Sequence, residues 1–240
     1  MKVTLFVQCL VDLMRPDVAG SMVQIFDRLG IEVECPTEQT CCGQMAFNSG
    51  YWKESRGAAK HFISLFEEAE AVVAPSGSCV AMVRHQFPKL FSEDPAWKDR
   101  AGRISEKTFE FSQFLVDVLG VTDLNASYKG RVTYHDSCHL LRALRVRNQP
   151  RKLIRKVKGV DFIEMKDSDR CCGFGGAFSI KYSEISSAVA EEKVSHILES
   201  GADTVVGSDL GCLLNIEGML RRKRAPVKVL HLAELLNSHA

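Results

Sequence analysis

Several things are missing from this chain of 240 residues, and each absence closes off a class of function. No apolar run approaches the roughly 18–20 residues that a bilayer-spanning helix needs, so no membrane span is expected. Neither sign of charge is in excess: 31 Lys and Arg face 30 Asp and Glu, a net +1, which argues against a nucleic-acid or acidic-polymer partner. A nicotinamide or flavin fingerprint is also absent. The glycine-rich stretch Gly173-Phe174-Gly175-Gly176 is too short for a dinucleotide loop and follows cysteines instead of a strand. Any hydride chemistry is therefore expected of a partner. The opening residues 1–14 are apolar but carry Asp12 and no small-residue cleavage pattern, so they are read as the start of the fold, not as a secretory signal.

What the chain has instead is cysteine. Nine cysteines without an export signal point to a reducing cytoplasm, where metal binding or redox chemistry outranks structural disulfides. Eight of the nine form a repeat. Thr40-Cys41-Cys42-Gly43-Gln44 returns as Arg170-Cys171-Cys172-Gly173-Phe174, each a vicinal pair ahead of a glycine. Cys9 lies 32 positions before Cys41, and Cys138 lies 33 before Cys171. Downstream, Cys79 follows Cys42 by 37 positions and Cys212 follows Cys172 by 40. Cys35 is left over and is expected to be a buried spare. With 45% apolar and 25% charged residues the chain has the means to bury an ordinary core, and the repeat divides it into two similar halves.

The surroundings of the cysteines repeat as well. Lys2-Val3-Thr4-Leu5-Phe6-Val7 is a β-rich run just ahead of Cys9, and Arg131-Val132-Thr133-Tyr134 holds the same place ahead of Cys138. Val18, Met22, Ile25, Phe26 and Leu29 recur at helical spacing over residues 17–29, with Gly30 closing the helix and a strand following over 31–35. The counterpart is a helix over 151–158, Gly159, and a strand over 160–165. Each vicinal pair leads into a helix, about 52–69 and 183–200, and each helix into an apolar strand, 71–74 and 204–206. Those strands end in Ser76-Gly77-Ser78-Cys79 and Ser208-Asp209-Leu210-Gly211-Cys212, and the closing segments 111–119 and 230–236 also match. Strands alternating with helices imply βαβ crossovers. The expected fold is α/β: two pseudo-symmetric Rossmann-like βαβ halves with parallel sheets, over residues 1–122 and 130–240, joined by a linker at 120–130. In such sheets functional groups collect at the carboxyl ends of strands, and all eight repeat cysteines fall there.

Four thiolates converging on a loop-built pocket are a ligand set for a soft metal or an iron–sulfur cluster. Helix amino termini nearby favour the thiolate form. Gly43, Gly173, Gly175 and Gly176 allow backbone N–H groups to approach sulfur closely. Three other readings stay open at this point: cysteines as small core hydrophobes, redox-active vicinal pairs, and zinc in one half with His135 or His139 as a substitute ligand.

The motifs as a set resemble the cysteine-rich (CCG) domain family, found twice in the heterodisulfide reductase B subunit and in glycolate oxidase iron–sulfur subunits. Over essentially the whole chain they are similar to the lactate utilization protein A family. The resemblance is carried by Leu5-Phe6-Val7-Gln8-Cys9, Cys41-Cys42-Gly43-Gln44, Pro75-Ser76-Gly77-Ser78-Cys79, Ser137-Cys138-His139, Cys171-Cys172-Gly173-Phe174-Gly175-Gly176 and Gly211-Cys212-Leu213-Leu214-Asn215. It implies a cytoplasmic iron–sulfur electron-transfer subunit of an L-lactate-oxidising complex, allowing lactate to serve as carbon and energy source. Its partners would be the iron–sulfur B-type and C-type lactate utilization subunits. The implied cofactor ligands are Cys9, Cys41, Cys42, Cys79, Cys138, Cys171, Cys172 and Cys212, with no catalytic residue among them. The fuller family motif ends in Cys-x-x-Cys, and here its first position is Ser76 in one half and Asp209 in the other. With four cysteines per half, a 4Fe–4S cluster in each is the expected group, zinc in one half remaining open. The rival functions are a zinc-bearing scaffold subunit and a thiol–disulfide reductase of the heterodisulfide type.

A few further residues stand out. His135, Asp136 and His139 flank Cys138 and could relay protons or hydrogen-bond a cluster sulfur; otherwise they form a polar turn with His139 capping. Asp209 is read as a water-activating or coordinating group, or else a helix N-cap. The basic run Arg142, Arg145, Arg147, Arg151, Lys152, Arg155, Lys156 and Lys158 is expected to be a solvated helix face. Arg221-Arg222-Lys223-Arg224 suits a helix carboxyl end.

Overall fold

The computed structural model describes residues 1–239. The chain divides into two compact units, Met1–Phe114 and Leu115–Ala240.

The first unit is built on four parallel strands, β1 (Lys2–Leu5), β2 (Glu32–Glu34), β3 (Ala71–Ala74) and β4 (Thr108–Glu110), in the order β2-β1-β3-β4. Its helices are α1 (Cys9–Met14), α2 (Asp17–Arg28), α3 (Gln44–Asn48), α4 (Trp52–Phe66), α5 (Gly77–Ala81), α6 (Phe87–Leu90), α7 (Pro95–Glu106) and α8 (Phe111–Gln113). Every residue of β3 is buried, as a parallel strand covered on both faces requires, and that is why 71–74 reads as an unbroken apolar run. Strand β2 lies at the sheet edge and leaves Glu32 and Glu34 exposed. Helix α2 buries Val18, Met22, Ile25 and Phe26, the stripe that its periodicity predicts. Helix α4 buries Ala59, Phe62, Ile63 and Phe66, and Phe6 meets the Phe62 ring edge-on at 4.9 Å.

The second unit repeats the plan with β5 (Ser127–Tyr134), β6 (Lys158–Phe162), β7 (Thr204–Gly207) and β8 (Lys228–His231), again parallel, in the order β6-β5-β7-β8. Its helices are α9 (Asn148–Ile154), α10 (Ala177–Lys181), α11 (Ser183–Glu199), α12 (Leu210–Arg222) and α13 (Leu232–Leu236). The expected α/β fold of two similar halves is what the chain adopts.

Local departures have physical causes. Helix α9 starts three residues earlier than expected because Pro150 sits in its first turn, where the missing N–H forfeits nothing. Gly159 does not close that helix. It lies inside β6 at φ +81°, beside an irregularity in the β5–β6 register, and a Cβ there would meet the Tyr128 carbonyl oxygen at 3.0 Å. Strand β5 begins at Ser127, within the stretch expected as linker. The closing segments prove to be helical turns that each follow a further strand, β4 or β8. No helix among the described residues is long and apolar enough to cross a membrane.

Candidate metal centres

Each half gathers its four cysteines at the carboxyl ends of its strands, and the first half is the tighter. Cys9 opens α1 directly after β1, Cys41 and Cys42 lie in the loop between β2 and α3, and Cys79 sits in α5 after β3. Hydrogen bonds link Cys9 to Cys41, Cys41 to Cys42, and Cys42 to Cys79 at 3.4 Å. Gly43 adopts φ +79°, which turns its N–H onto the Cys41 sulfur at 3.4 Å. Ser76 caps α5, its Oγ accepting from the Cys79 N–H at 3.2 Å. The bonds from Cys42 and Cys9 push the Cys41 thiol down. Those bonds act in the opposite sense on their donors: Cys9 is pushed up by Cys41 and by burial, and Cys42 by Cys41, Cys79 and burial.

The second half repeats the frame with different chemistry. Cys138 follows β5, Cys171 and Cys172 lie between β6 and α10, and Cys212 sits in the first turn of α12. Cys172 bonds to Cys171 and to Cys212, and Cys138 couples electrostatically to Cys171. Gly173, at φ +82°, donates its N–H to the Cys171 sulfur at 3.4 Å, as Gly43 does to Cys41. Here every thiol is pushed up. For Cys138 burial leads, with Cys171 and Asp209 adding to it; for Cys171 the bond to Cys172 leads, followed by burial. The Cys171 bond acts downward on Cys172, but Cys212 and burial outweigh it; for Cys212 the Cys172 bond is likewise outweighed by burial and by Asp209. Exposed Arg142 works against the rise at Cys138 and Cys171.

The remaining candidates separate cleanly. His135 directly follows β5 and is 1% exposed, and both ring nitrogens lack a hydrogen-bond partner among the described residues. One of those nitrogens and the Cys172 and Cys212 sulfurs all lie within 4.8 Å of one another. Burial, with the Lys193 ammonium nearby, pushes the His135 imidazolium down to about 3, against a smaller upward pull from Asp136, so the ring is neutral. His139 is no helix cap; its Nδ1 faces the Cys138 sulfur at 3.6 Å. Asp209 stands at the N-cap position of α12 but its carboxylate accepts from the Ser137 hydroxyl.

Asp136 belongs to a buried ion-pair network. Arg151 grips it with two bonds of 2.9 and 2.6 Å and reaches Glu164 at 2.6 Å, while the Ser168 hydroxyl donates to Asp136 at 2.8 Å. Burial alone would raise the Asp136 carboxyl, but Arg151 and Ser168 outweigh it and hold it below the ordinary range. The expected solvated helix face does not form: Arg151 is buried, and of the other seven cations, all exposed, only Lys152 lies in α9. Arg221 and Arg222 do close α12. Cys35 is exposed beyond β2 instead of buried, its sulfur accepting from Gln39 Nε2 at 3.4 Å.

Three residues to which the sequence assigned no role of their own enter here. Gln8 accepts from the Cys79 thiol at 3.3 Å while its own buried Nε2 has no partner among the described residues. Lys193, fully buried on α11, donates to the Asp167 and Ser168 carbonyls at 2.9 and 3.1 Å. Asn215 donates to the Cys172 carbonyl at 2.7 Å, fixing the vicinal pair from α12. The orphaned Gln8 and His135 donors, beside converging soft sulfur ligands, fit a group held in each half.

Comparison with known proteins agrees with this geometry. The cysteine-rich domain family (CCG) matches residues 3–84 and 132–217. The chain is 50% identical over 239 residues to lactate utilization protein A of Oceanobacillus iheyensis, covering 100% of this chain and 98% of that one. It is 51% identical over 238 residues to lactate utilization protein A of Bacillus pumilus, covering 99% and 100%. Among solved structures, a hypothetical protein from Helicobacter pylori shares the fold at a TM-score of 0.59 and 11% identity, over 98% of this chain and 48% of that chain. With the family domain matched in both halves and the relatives matched end to end, the chain belongs to the lactate utilization protein A family of proteins with two cysteine-rich CCG domains.

Proposed function

We propose that this chain is a cytoplasmic electron-transfer subunit of an L-lactate-oxidising complex, with one 4Fe–4S cluster held in each half. The ligands would be Cys9, Cys41, Cys42 and Cys79 in a first domain over residues 1–122, and Cys138, Cys171, Cys172 and Cys212 in a second over 130–240. The observation that carries the reading is the convergence of four cysteines at the strand ends of each half, beside buried donors that lack partners. The names of the full-length relatives support the role in lactate use. Bound iron–sulfur clusters would supply one-electron transfer.

The chain's own residues hold and tune. Cysteine must lose its proton to ligate, so binding would release protons. The Gly43 and Gly173 N–H groups offset negative charge on sulfur and raise the reduction potential. The other lactate utilization subunits, of B and C type, would supply substrate oxidation and pass on the electrons. One observation favours a second reading for the second half alone: three donors within 4.8 Å of one another suit the shell of a single zinc ion.

Anaerobic purification followed by iron, sulfide and zinc analysis with EPR tests the reading on the native chain, Cys41→Ser and Cys171→Ser. Iron and sulfide for two clusters are expected, with each substitution removing one EPR signal. Zinc alone, or nine free thiols and no metal, overturns it.

A further inference from the structure

The two halves differ beneath their cysteines at two matched positions. Three residues ahead of the first cysteine stands Phe6 in one half and His135 in the other. Ser55 and Ser186 mark equivalent turns of α4 and α11, since each hydroxyl donates to the carbonyl of the glycine after its vicinal pair, Gly43 or Gly173. Seven residues beyond each serine stands Phe62 in the first half and Lys193 in the second. The first site thus rests on an edge-to-face aromatic pair, the second on a buried histidine and a buried lysine that interact electrostatically.

We infer that the second half is a mixed imidazole–thiolate centre, in which one ring nitrogen of His135 ligates the metal together with Cys172 and Cys212. This rests on the second half being a metal site at all. Burying an imidazole with neither nitrogen bonded is a cost that native proteins avoid, and a metal bond removes it at one nitrogen. The three donor atoms lie within 4.8 Å of one another, close enough to share one metal centre. Lys193 suits the role. Its ammonium donates to the Asp167 and Ser168 carbonyls, so it does not occupy the ring, and both imidazole nitrogens stay without a partner among the described residues. Phe6 has no donor to offer, so the first half remains an all-thiolate site.

A neutral ligand adds no negative charge, whereas a thiolate adds one. Where the imidazole takes the place of one thiolate, the second centre would be easier to reduce than an otherwise similar all-thiolate centre.

The test is pulsed EPR on the full chain reconstituted anaerobically with iron and sulfide, prepared with natural-abundance and with ¹⁵N-labelled histidine, beside His135→Phe. The expected result is a nitrogen coupling that changes with the histidine label. It is lost in Cys171→Ser and in His135→Phe, and the latter retains the first-half signal. The labelled wild type gives its answer even should His135→Phe fail to fold. Zinc-loaded protein, read by X-ray absorption, is expected to show a light nitrogen ligand that disappears in His135→Phe. Clusters in both halves without a histidine coupling overturn the inference and leave electron transfer standing. Zinc alone with a histidine nitrogen upholds the inference and overturns electron transfer. No metal bound under either loading overturns both.

Discussion

The two halves share strand order, cysteine order and the glycine that turns an N–H onto sulfur, yet they differ under the site. The first half packs Phe6 edge-on to Phe62, at 4.9 Å and 89°, and has Val7 at the sequence position that matches Asp136. The second half puts His135, Lys193 and Asp136 in the matching places, all buried. The duplicated frame thus carries its four cysteines over an apolar floor in one half and a charged one in the other. Burying charge is tolerated only where each ion finds partners. Asp136 finds Arg151 and Ser168, and Lys193 finds the Asp167 and Ser168 carbonyls, so the polar floor ties the loop ahead of the vicinal pair to α9 and α11. Among the described residues the first half has no such ties, and there the Cys41 thiol is pushed down by its bonds to Cys42 and Cys9.

The largest effect that separates the halves should come from Arg151→Met. It leaves the Asp136 carboxylate buried and unpaired, a loss of about 3–5 kcal/mol. Urea denaturation should show a destabilised second unit, while the equivalent change has no meaning in the first half, where Val7 stands. The pH dependence follows from Asp136. Its carboxyl is held below the ordinary range in the folded protein, so the stabilisation is present above about pH 3.9 and is lost as pH falls through the folded value. Without Arg151, burial pushes the carboxyl up, and acid protonates it at less cost. The gap between wild type and variant should therefore narrow as pH falls toward 4. A gap that stays constant with pH would show that Arg151 acts only by packing.

Asp136 and Arg151 show where reading a sequence stops. The eight cysteines were legible because a repeat multiplies a weak signal: two ordered sets at strand ends leave few alternatives. The helices α2, α4 and α11 and the strands β1, β3 and β7 were legible from periodicity and apolar runs. Strands β4 and β8 are only three and four residues long and mixed in character, too short for any period to emerge. Arg151 reads as one more cation in a basic run, and nothing local shows that Asp136, 15 residues away, draws it inside. The pairing of His135 with Lys193 is hidden in the same way, since proximity made by tertiary folding leaves no local mark. Cys35 failed for the opposite reason: cysteine is so often buried that composition favoured a core position, whereas edge strand β2 carries it to the surface.

A middle-sized effect sharpens the comparison at the shared glycines. Both Gly43 and Gly173 hold φ near +80°, which costs a side chain about 1–2 kcal/mol in either half. Their surroundings differ. A Cβ on Gly43 would come to 3.1 Å from the Ala58 side chain, whereas one on Gly173 would come to 2.5 Å from the Ser186 carbonyl oxygen, backbone that cannot step aside. Gly173→Ala should therefore be worse than Gly43→Ala by about 1–3 kcal/mol, the usual range for overpacking. Thermal unfolding of the two variants side by side checks this. Equal losses would mean that α11 yields more readily than α4.

The smallest expected effect belongs to Cys35→Ser, and its smallness is informative. Cys35 has no counterpart in the second half, lies exposed, and its sulfur accepts from Gln39 in the same loop. A surface change of this kind is ordinarily worth less than about 0.5 kcal/mol. If the two halves are equivalent as four-cysteine sites, the variant should bind the same iron and sulfide as wild type and lose one titratable thiol after metal removal. A drop in first-half metal would mean that the loop between β2 and the vicinal pair lends a fifth thiolate. The two floors would then be matched by two different extra ligands, sulfur in the first half and imidazole in the second.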